Sequence, residues 1–411
     1  MKLKFKIRID KVIGLPIVYL LNVLARILGF LLRIDHSLDR PVKTIAVCKF
    51  VGMGSVVQSS PLLKTLRENY PEARIVYVTN SSNLSLFQLI NDVDAVFHVS
   101  DKSISSLISS SFLLIVKLWK NRPDVFIDLE IYSNYSSVIT TMSLARNRMG
   151  FFKDDKTYRK GLYTHMIFYN IKSPVSQTYL QFARLLGCKK INSKVLMDAS
   201  KIEAQTLISI NQKLNTILSS DYILINPNAS DLRLERRWPA NNFVQLIKTI
   251  SLEYPSCKIV LIGDINESVY VNTIVSQAQV DVVDSSGKLS LTELIALIAN
   301  SMLLITNDTG PMHLAFALNI KTVSLFGPCS PQQYGGMANT ISIYKNVYCS
   351  PCVHEFVIPP CKGDNQCMKK ITVDEVVEGV RKAFLNNFTE NQFLEPDYVG
   401  SDLAPLGVVL R

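Results

Sequence analysis

The 411-residue chain has no run in which basic residues alternate with aromatics, although its formal charge is +10. A positive excess selects an anionic partner, and without such a run that partner is a membrane surface or a phosphorylated ligand, not nucleic acid. Cysteine is scarce. Eight residues over the whole length, with no cleavable signal pattern, do not make a secreted disulfide scaffold, and a reducing cytosolic setting is expected. Only 19% of residues are charged against 48% hydrophobic, which is too apolar, over this length, for one small module; two domains are expected. The turn "VGMGSV" (51–56) lacks the third glycine of a dinucleotide fingerprint. The next strand runs out into the neutral "YVTNSSN" (77–83), where such a site carries an acidic residue, so a dehydrogenase is disfavoured.

What is present begins with Lys2, Lys4, Lys6, Arg8 and Lys11, followed by a mostly apolar stretch, 12–32, long enough to span a bilayer. Its polar exceptions are aligned. At about 100° per residue, Lys11, Asn22, Arg26, Gly29 and Arg33 share one narrow face, and a spanning helix would bury Arg26 near its middle. Residues 1–40 are therefore expected to be a membrane-associating segment, an amphipathic helix in the interface with Arg26 and Arg33 at headgroup level. A single span and a helix packed on the protein's own core are the alternatives.

After Pro41 the pattern turns to alternating strands and helices. "TIAVCKF" (44–50), "ARIVYVT" (73–79), "DAVFHVS" (94–100) and "DVFIDLE" (124–130) read as buried strands with short connections. A second series runs through "DYILINPNAS" (221–230), "CKIVLIGD" (257–264), "VDVVDSSG" (280–287), "MLLITND" (302–308) and "KTVSLFGP" (321–328). The expectation is an α/β fold of two doubly wound Rossmann-like domains, 41–205 and 206–385, facing a cleft, with a helix through 201–218 leading into the second. The tail 386–411 lacks periodicity and is expected to be irregular.

Doubly wound sheets bind ligands at the carboxyl ends of their strands. There, "TNDTGPMHLAFAL" (306–318) puts Asp308 or Thr309 at a helix N-cap, Gly310 where backbone must approach a ligand, Pro311 in the first turn and His313 just inside it. Capping alone explains much of this motif. The free amides of a helix start also hold anions, and Arg233, Arg236 and Arg237 in "RLERRWP" (233–239) follow another strand end. Together the two segments predict a nucleoside diphosphate as ligand.

The stretches "VGMGSVVQSSPLLKTLRENYPEARIVYVT", "NPNAS" with "RRWPANNFVQLI", "LIGD" and "TNDTGPMHLAFALNIKTVSLFGPCSP" resemble glycosyltransferase family nine over residues 42–385. Its members are the heptosyltransferases that build the inner core of bacterial lipopolysaccharide. The resemblance implies a GT-B architecture and inverting transfer from a nucleotide-diphosphate sugar to a lipid-linked saccharide. It also implies no required metal and a place on the cytoplasmic face of the inner membrane, peripheral or single-pass. By position, Asp308, Thr309, Gly310, Pro311 and His313 form the donor motif, Arg236 and Arg237 lie at the donor phosphates, and Asn228, Gly263 and Asp264 complete the donor side. One residue departs from the pattern. The family places an aspartate after the glycine of its first turn, and this chain reads Gly54-Ser55, with Gly52 opening the same turn. A serine hydroxyl cannot serve unaided as a carboxylate base. Either another carboxylate acts, or the chain is an inactive membrane-bound sugar-nucleotide binding module. Asp128 and Glu130 lie on one face of their strand, and Glu130, nearer the open end, is the expected base.

Four cysteines cluster: Cys349, Cys352, Cys361 and Cys367, spaced C-x2-C-x8-C-x5-C. The spacing predicts a small knuckle holding a structural Zn2+, with disulfides or free thiols as alternatives. Cys48, Cys188, Cys257 and Cys329 read as core residues.

Overall fold

The computed structural model describes residues 3–218, 221–230, 233–336, 338–353, 356, 359–388 and 408–409. The chain forms two compact units, the first running to Ile171, resuming over Val175–Val195 and taking back the C-terminal Val408–Val409, the second comprising Lys172–Pro174 and the chain from Leu196 to Pro396. In the first, β1 (Thr44–Cys48), β2 (Arg74–Asn80), β3 (Ala95–Val99), β4 (Val125–Asp128), β5 (Asn147–Phe152) and β6 (His165–Phe168) make a parallel sheet in the order β3-β2-β1-β4-β5-β6. In the second, β7 (Tyr222–Asn226), β8 (Lys258–Leu261), β9 (Val283–Asp284), β10 (Leu303–Asn307), β11 (Thr322–Phe326) and β12 (Thr340–Tyr344) repeat it as β9-β8-β7-β10-β11-β12. A two-residue strand, β13 (Val408–Val409), pairs antiparallel with β6. Both sheets therefore have the Rossmann order and reverse direction of winding once, between β1 and β4 and between β7 and β10. Doubly wound sheets bind their ligands at such points.

The central strands are unbroken apolar runs because helices cover both faces; β1, β7, β10 and β11 are buried at every residue. The helices of the first unit are α1 (Leu3–Ile9), α2 (Leu15–Leu32), α3 (Met53–Val57), α4 (Ser60–Asn69), α5 (Ile104–Asn121), α6 (Asn134–Met142) and α7 (Val175–Leu185). Those of the second include α8 (Ala204–Leu214), α9 (Ala240–Glu253), α10 (Ser268–Ala278), α11 (Leu291–Ala299) and α12 (Gly310–Ala317). Three strands lie outside the expected series. β5 (NRMGFF) and β6 (HMIF) carry polar residues, and β12 (TISIY) is a half-buried edge, so none shows the continuous apolar signal of a central strand. The units divide at Val195/Leu196, ahead of the expected 205/206, because the Met197 amide already bonds Ala317 of the second unit at 2.9 Å. Most of the tail 386–411 lies outside the described residues.

The N-terminal segment is helical, with a π-helical turn, Asp10–Gly14, joining α1 to α2. It does not stand apart as residues 1–40. Asp10, Gly14, Val18, Asn22 and Arg26, four residues apart, form a ridge laid on the first unit. Val18 is fully buried beside Leu162, Tyr163 and Met166. Asn22 Nδ2 donates to the Tyr158 carbonyl at 2.6 Å and to that of Lys160, and Arg26 Nε donates to Asn22 Oδ1 at 2.8 Å. Gly161, at φ +90°, permits this approach, since a Cβ there would stand 3.0 Å from Asn22 Oδ1. Asn22 thus faces protein, because it satisfies backbone carbonyls that would otherwise be buried unpaired, while Arg26 stays exposed beside it. The apolar sides face outward instead. Leu20, Val23, Leu24, Ile27, Leu28 and Leu31 are exposed, and Phe30 is 78% exposed. The rod Phe5–Leu32 is long and apolar enough to cross a membrane by length and composition.

Candidate active site

In the second unit the reversal point is framed by asparagines at strand ends. Asn226, closing β7, donates from Nδ2 to Thr306 and Thr309 Oγ1 at 2.9 and 2.7 Å. Asn228 Nδ2 donates to the Ile262 carbonyl at 2.7 Å, and Asn307 Nδ2 donates to the carbonyls of Pro227 and Asn228 at 3.0 and 3.1 Å. A Cβ on Gly263 would come within 2.9 Å of Asn228 Nδ2, so this lattice requires glycine there. Thr309 occupies the N-cap position of α12, yet neither it nor Asp308 caps the helix, because Thr309 Oγ1 is turned to Asn226. Gly310 and Pro311 open the first turn, as expected.

Asp308 is buried. Its Oδ2 stands 3.4 Å from Arg236 NH1, and its backbone carbonyl accepts from the same guanidinium at 3.3 Å. Burial disfavours the Arg236 charge, but Cys329 and Asp308 beside it more than compensate and hold it firmly protonated. Arg236 Nε, Asp308 Oδ2 and Asn228 Oδ1 are buried without a hydrogen-bond partner. Unsatisfied atoms are rare in a folded interior, and three around one helix mouth mark a place for a polar guest. His313 is buried in the first turn, and burial, reinforced by the Arg236 charge, lowers its pKa to about 4. At neutral pH it is an uncharged imidazole. Arg237 lies elsewhere, 4.1 Å over the Tyr270 ring. Asp264 is exposed and accepts from the amides of Asn266 and Glu267 at 2.7 and 3.1 Å, a local turn. Arg233 reaches the Val353 and Phe356 carbonyls, so of the three arginines only Arg236 meets Asp308.

In the first unit the reversal point holds two ion pairs, Lys49 with Glu130 and Arg159 with Asp128. Glu130 Oε2 takes Lys49 Nζ at 2.7 Å, and Oε1 takes the amides of Phe50 and Val51 at 2.9 and 2.8 Å. Lys49 is buried, and Glu130 offsets that burial and keeps it charged. Ser55 bonds the buried Tyr179, whose hydroxyl lies within the field of Lys49 and Glu130. The turn therefore replaces a carboxylate at 55 with a hydroxyl pair beside an existing ion pair. Gly52, at φ +90°, starts α3, and Gly54 is buried beneath. Asp128 is fully buried, holding Arg159 NH2 at 3.1 Å, Ser136 Oγ at 2.8 Å and the Tyr163 hydroxyl. Arg159 also donates to the carbonyls of Glu130 and Ile131. Asp10, from the π-helical turn, accepts the Asn134 and Tyr135 amides at 2.9 and 2.6 Å, at the start of α6.

Lys49, Tyr179, Asn226, Asn307 and Cys329 were missed from sequence. A signal existed for the asparagines, since both "LIN" and "ITN" end a buried strand in the same polar residue. The four clustered cysteines line one cavity of about 180 Å³ with Pro328 and Tyr348. All four are free thiols, and burial pushes Cys367 up to about 12. Among the described residues no three His, Cys, Asp or Glu side chains are gathered closely enough to hold one ion. The spacing thus brings the four thiols to one cavity.

Two Rossmann-like units of one strand order are the architecture of the GT-B class of glycosyltransferases. The chain belongs to glycosyltransferase family 9 (heptosyltransferase), whose model matches residues 112–360. It is similar to lipopolysaccharide heptosyltransferase 1 of Campylobacter coli, 26% identical over 69% of this chain and 83% of that protein. Among solved structures it resembles a family 9 glycosyl transferase from Veillonella parvula (TM-score 0.70, 21% identity, 86% and 100% of the two chains). It also resembles the E. coli ADP-heptose heptosyltransferase II (TM-score 0.64, 20% identity, 84% and 99%). The chain is thus a glycosyltransferase of lipopolysaccharide biosynthesis.

Proposed function

We propose that the chain moves a heptose, with inversion at its anomeric carbon, from a nucleoside-diphosphate heptose to a lipid-linked saccharide at the cytoplasmic face of the inner membrane. The observation that carries the donor half is Arg236 at the mouth of α12, its charge held on and its Nε buried without a hydrogen-bond partner. A diphosphate placed there takes the α12 amides and the Arg236 guanidinium, while neutral His313 donates without adding charge. ADP is the preferred nucleotide, by likeness to the E. coli enzyme named for ADP-heptose. The exposed apolar sides of α1 and α2 seat the arm in the bilayer interface, its ridge resting on the first unit.

The proton of the acceptor hydroxyl goes to Glu130. A carboxylate offers about four acceptor positions, and Lys49, Phe50 and Val51 fill three of Glu130's. The vacant one serves the acceptor, and the three donors hold the carboxylate still. Titration calorimetry with ADP tests the donor half: wild type binds, and Arg236→Gln binds more weakly. Equal affinity in both would overturn it.

A further inference from the structure

The turn that carries Arg236 is too short to hold itself. Leu234–Arg236 is a single 3-10 turn, closed by the Arg236 amide on the Arg233 carbonyl at 3.1 Å and the Arg237 amide on the Leu234 carbonyl at 2.9 Å. One such turn gains little from its own bonds, and the carbonyls at its exit need donors from elsewhere. Asn365 supplies them. Its side-chain amide donates to the Glu235 carbonyl at 2.9 Å and to the Arg237 carbonyl at 2.8 Å, the residues on either side of Arg236. Both protons of one NH2 group are thereby used. The Arg236 side chain is held only loosely at its tip, with NH1 3.4 Å from Asp308 Oδ2 and 3.3 Å from the Asp308 carbonyl, and Nε without a partner. Its aim is therefore set from the backbone end, where Asn365 acts.

Asn365 stands at the N-cap position of the one-turn helix Gln366–Lys369, where an asparagine ordinarily turns its side chain onto its own helix. Here no side-chain cap bond forms, which leaves the amide for the Arg236 turn. Burial fixes the short helix instead. Cys367 and Met368 lie in the core of the second unit with Trp238, whose Nε1 donates to the Ile371 carbonyl at 2.9 Å. The preceding segment reaches the other wall of the donor site. The Cys352 and Val353 amides both donate to the Pro328 carbonyl, at 2.9 and 3.0 Å, and the thiol of Cys329, next in the chain, donates to Asp308. With Arg233 on the Val353 and Phe356 carbonyls, the cysteine-bearing segment buckles the Arg236 turn to the end of β11. Glu235, Pro328 and Asn365 all line the four-thiol cavity, so that cavity lies between the two.

We propose that Asn365 is a positioning residue for the donor diphosphate, holding the turn so that the Arg236 guanidinium stands ready at the mouth of α12 before phosphate arrives. This rests on the donor reading above. Full-length protein is titrated calorimetrically with ADP. Asn365→Ala should weaken binding about tenfold, and Asn365→Asp, which fills the same volume without the amide donors, at least as much. The decisive comparison repeats Asn365→Ala in an Arg236→Gln background. No further loss should appear there, because a residue that acts through Arg236 has nothing left to position. A residue that only braces the fold would add its cost in full. Should Asn365→Ala not fold, Asn365→Asp carries the same comparison. Wild-type affinity in the Asn365 variants, or a tenfold loss that persists in the Arg236→Gln background, overturns the positioning role. Failure of wild type to bind ADP, or undiminished binding by Arg236→Gln, instead overturns the donor reading and the role built on it, and is told apart because it shows in proteins whose Asn365 is intact.

Discussion

The two units share one strand order and each places an arginine–aspartate pair at its reversal point, yet the pairs differ in kind. In the first unit Arg159 and Asp128 are sealed, their remaining capacity taken by Ser136, Ser137, Tyr163 and backbone carbonyls. In the second, Arg236 and Asp308 meet at 3.4 Å and keep buried atoms without partners. A satisfied network fixes a loop in place; an unsatisfied one stores the cost of desolvation until a ligand relieves it. The same topology thus supplies a satisfied polar network in one unit and an unsatisfied one in the other.

The comparison breaks most visibly in stability. Arg159→Met strands Asp128 in a dry interior and should cost about 3–5 kcal/mol of unfolding free energy, seen as a large drop in Tm, whereas Arg159→Met/Asp128→Leu should recover much of it. Next in size is turnover. Glu130→Gln keeps an oxygen for the Phe50 and Val51 amides but removes the base, and should lower kcat about a hundredfold or more with ADP affinity intact. A wild-type rate in that variant would assign the proton elsewhere. In the second unit Arg236→Gln should weaken ADP binding by about 1.5–3 kcal/mol in calorimetry while leaving Tm nearly unchanged, the opposite signature to Arg159→Met.

How much of this could be read beforehand follows the same division. The central strands were legible because burial on both faces leaves an unbroken apolar run, and the α12 mouth because Asp-Thr-Gly-Pro punctuates it. Glu130 was legible as a strand-end carboxylate. Its partner was not, since Lys49 reaches it from a distant position in the chain, and pairing at that range leaves no local pattern. Of the polar stripe, Asn22 is turned into the protein, while Lys11, Arg26, Gly29 and Arg33 are exposed. Periodicity tells that one face differs, and only the carbonyls of Tyr158 and Lys160 tell what Asn22 is for.

The smallest expected effect sharpens the socket picture. His313 has a folded pKa of about 4 against an ordinary 6.5, so it is a group whose charge the fold rejects. The unfolded chain takes up a proton near pH 6.5 and the folded chain only near 4. Its contribution is therefore fully present above pH 6.5, declines as pH falls through that window, and is lost by about pH 4. Between pH 7 and pH 5.5 the loss is about 1 kcal/mol. Other groups titrate there too, so the measurement is the difference between wild type and His313→Gln, with chemical denaturation followed at both pH values. Wild type should lose more stability than the variant on acidification. Saturating ADP should shrink that difference, because a diphosphate beside the imidazole favours its protonated form and brings the folded pKa back toward that of the unfolded chain. An unchanged difference with ADP bound would place the phosphates away from His313 and confine the socket to Arg236 and the α12 amides.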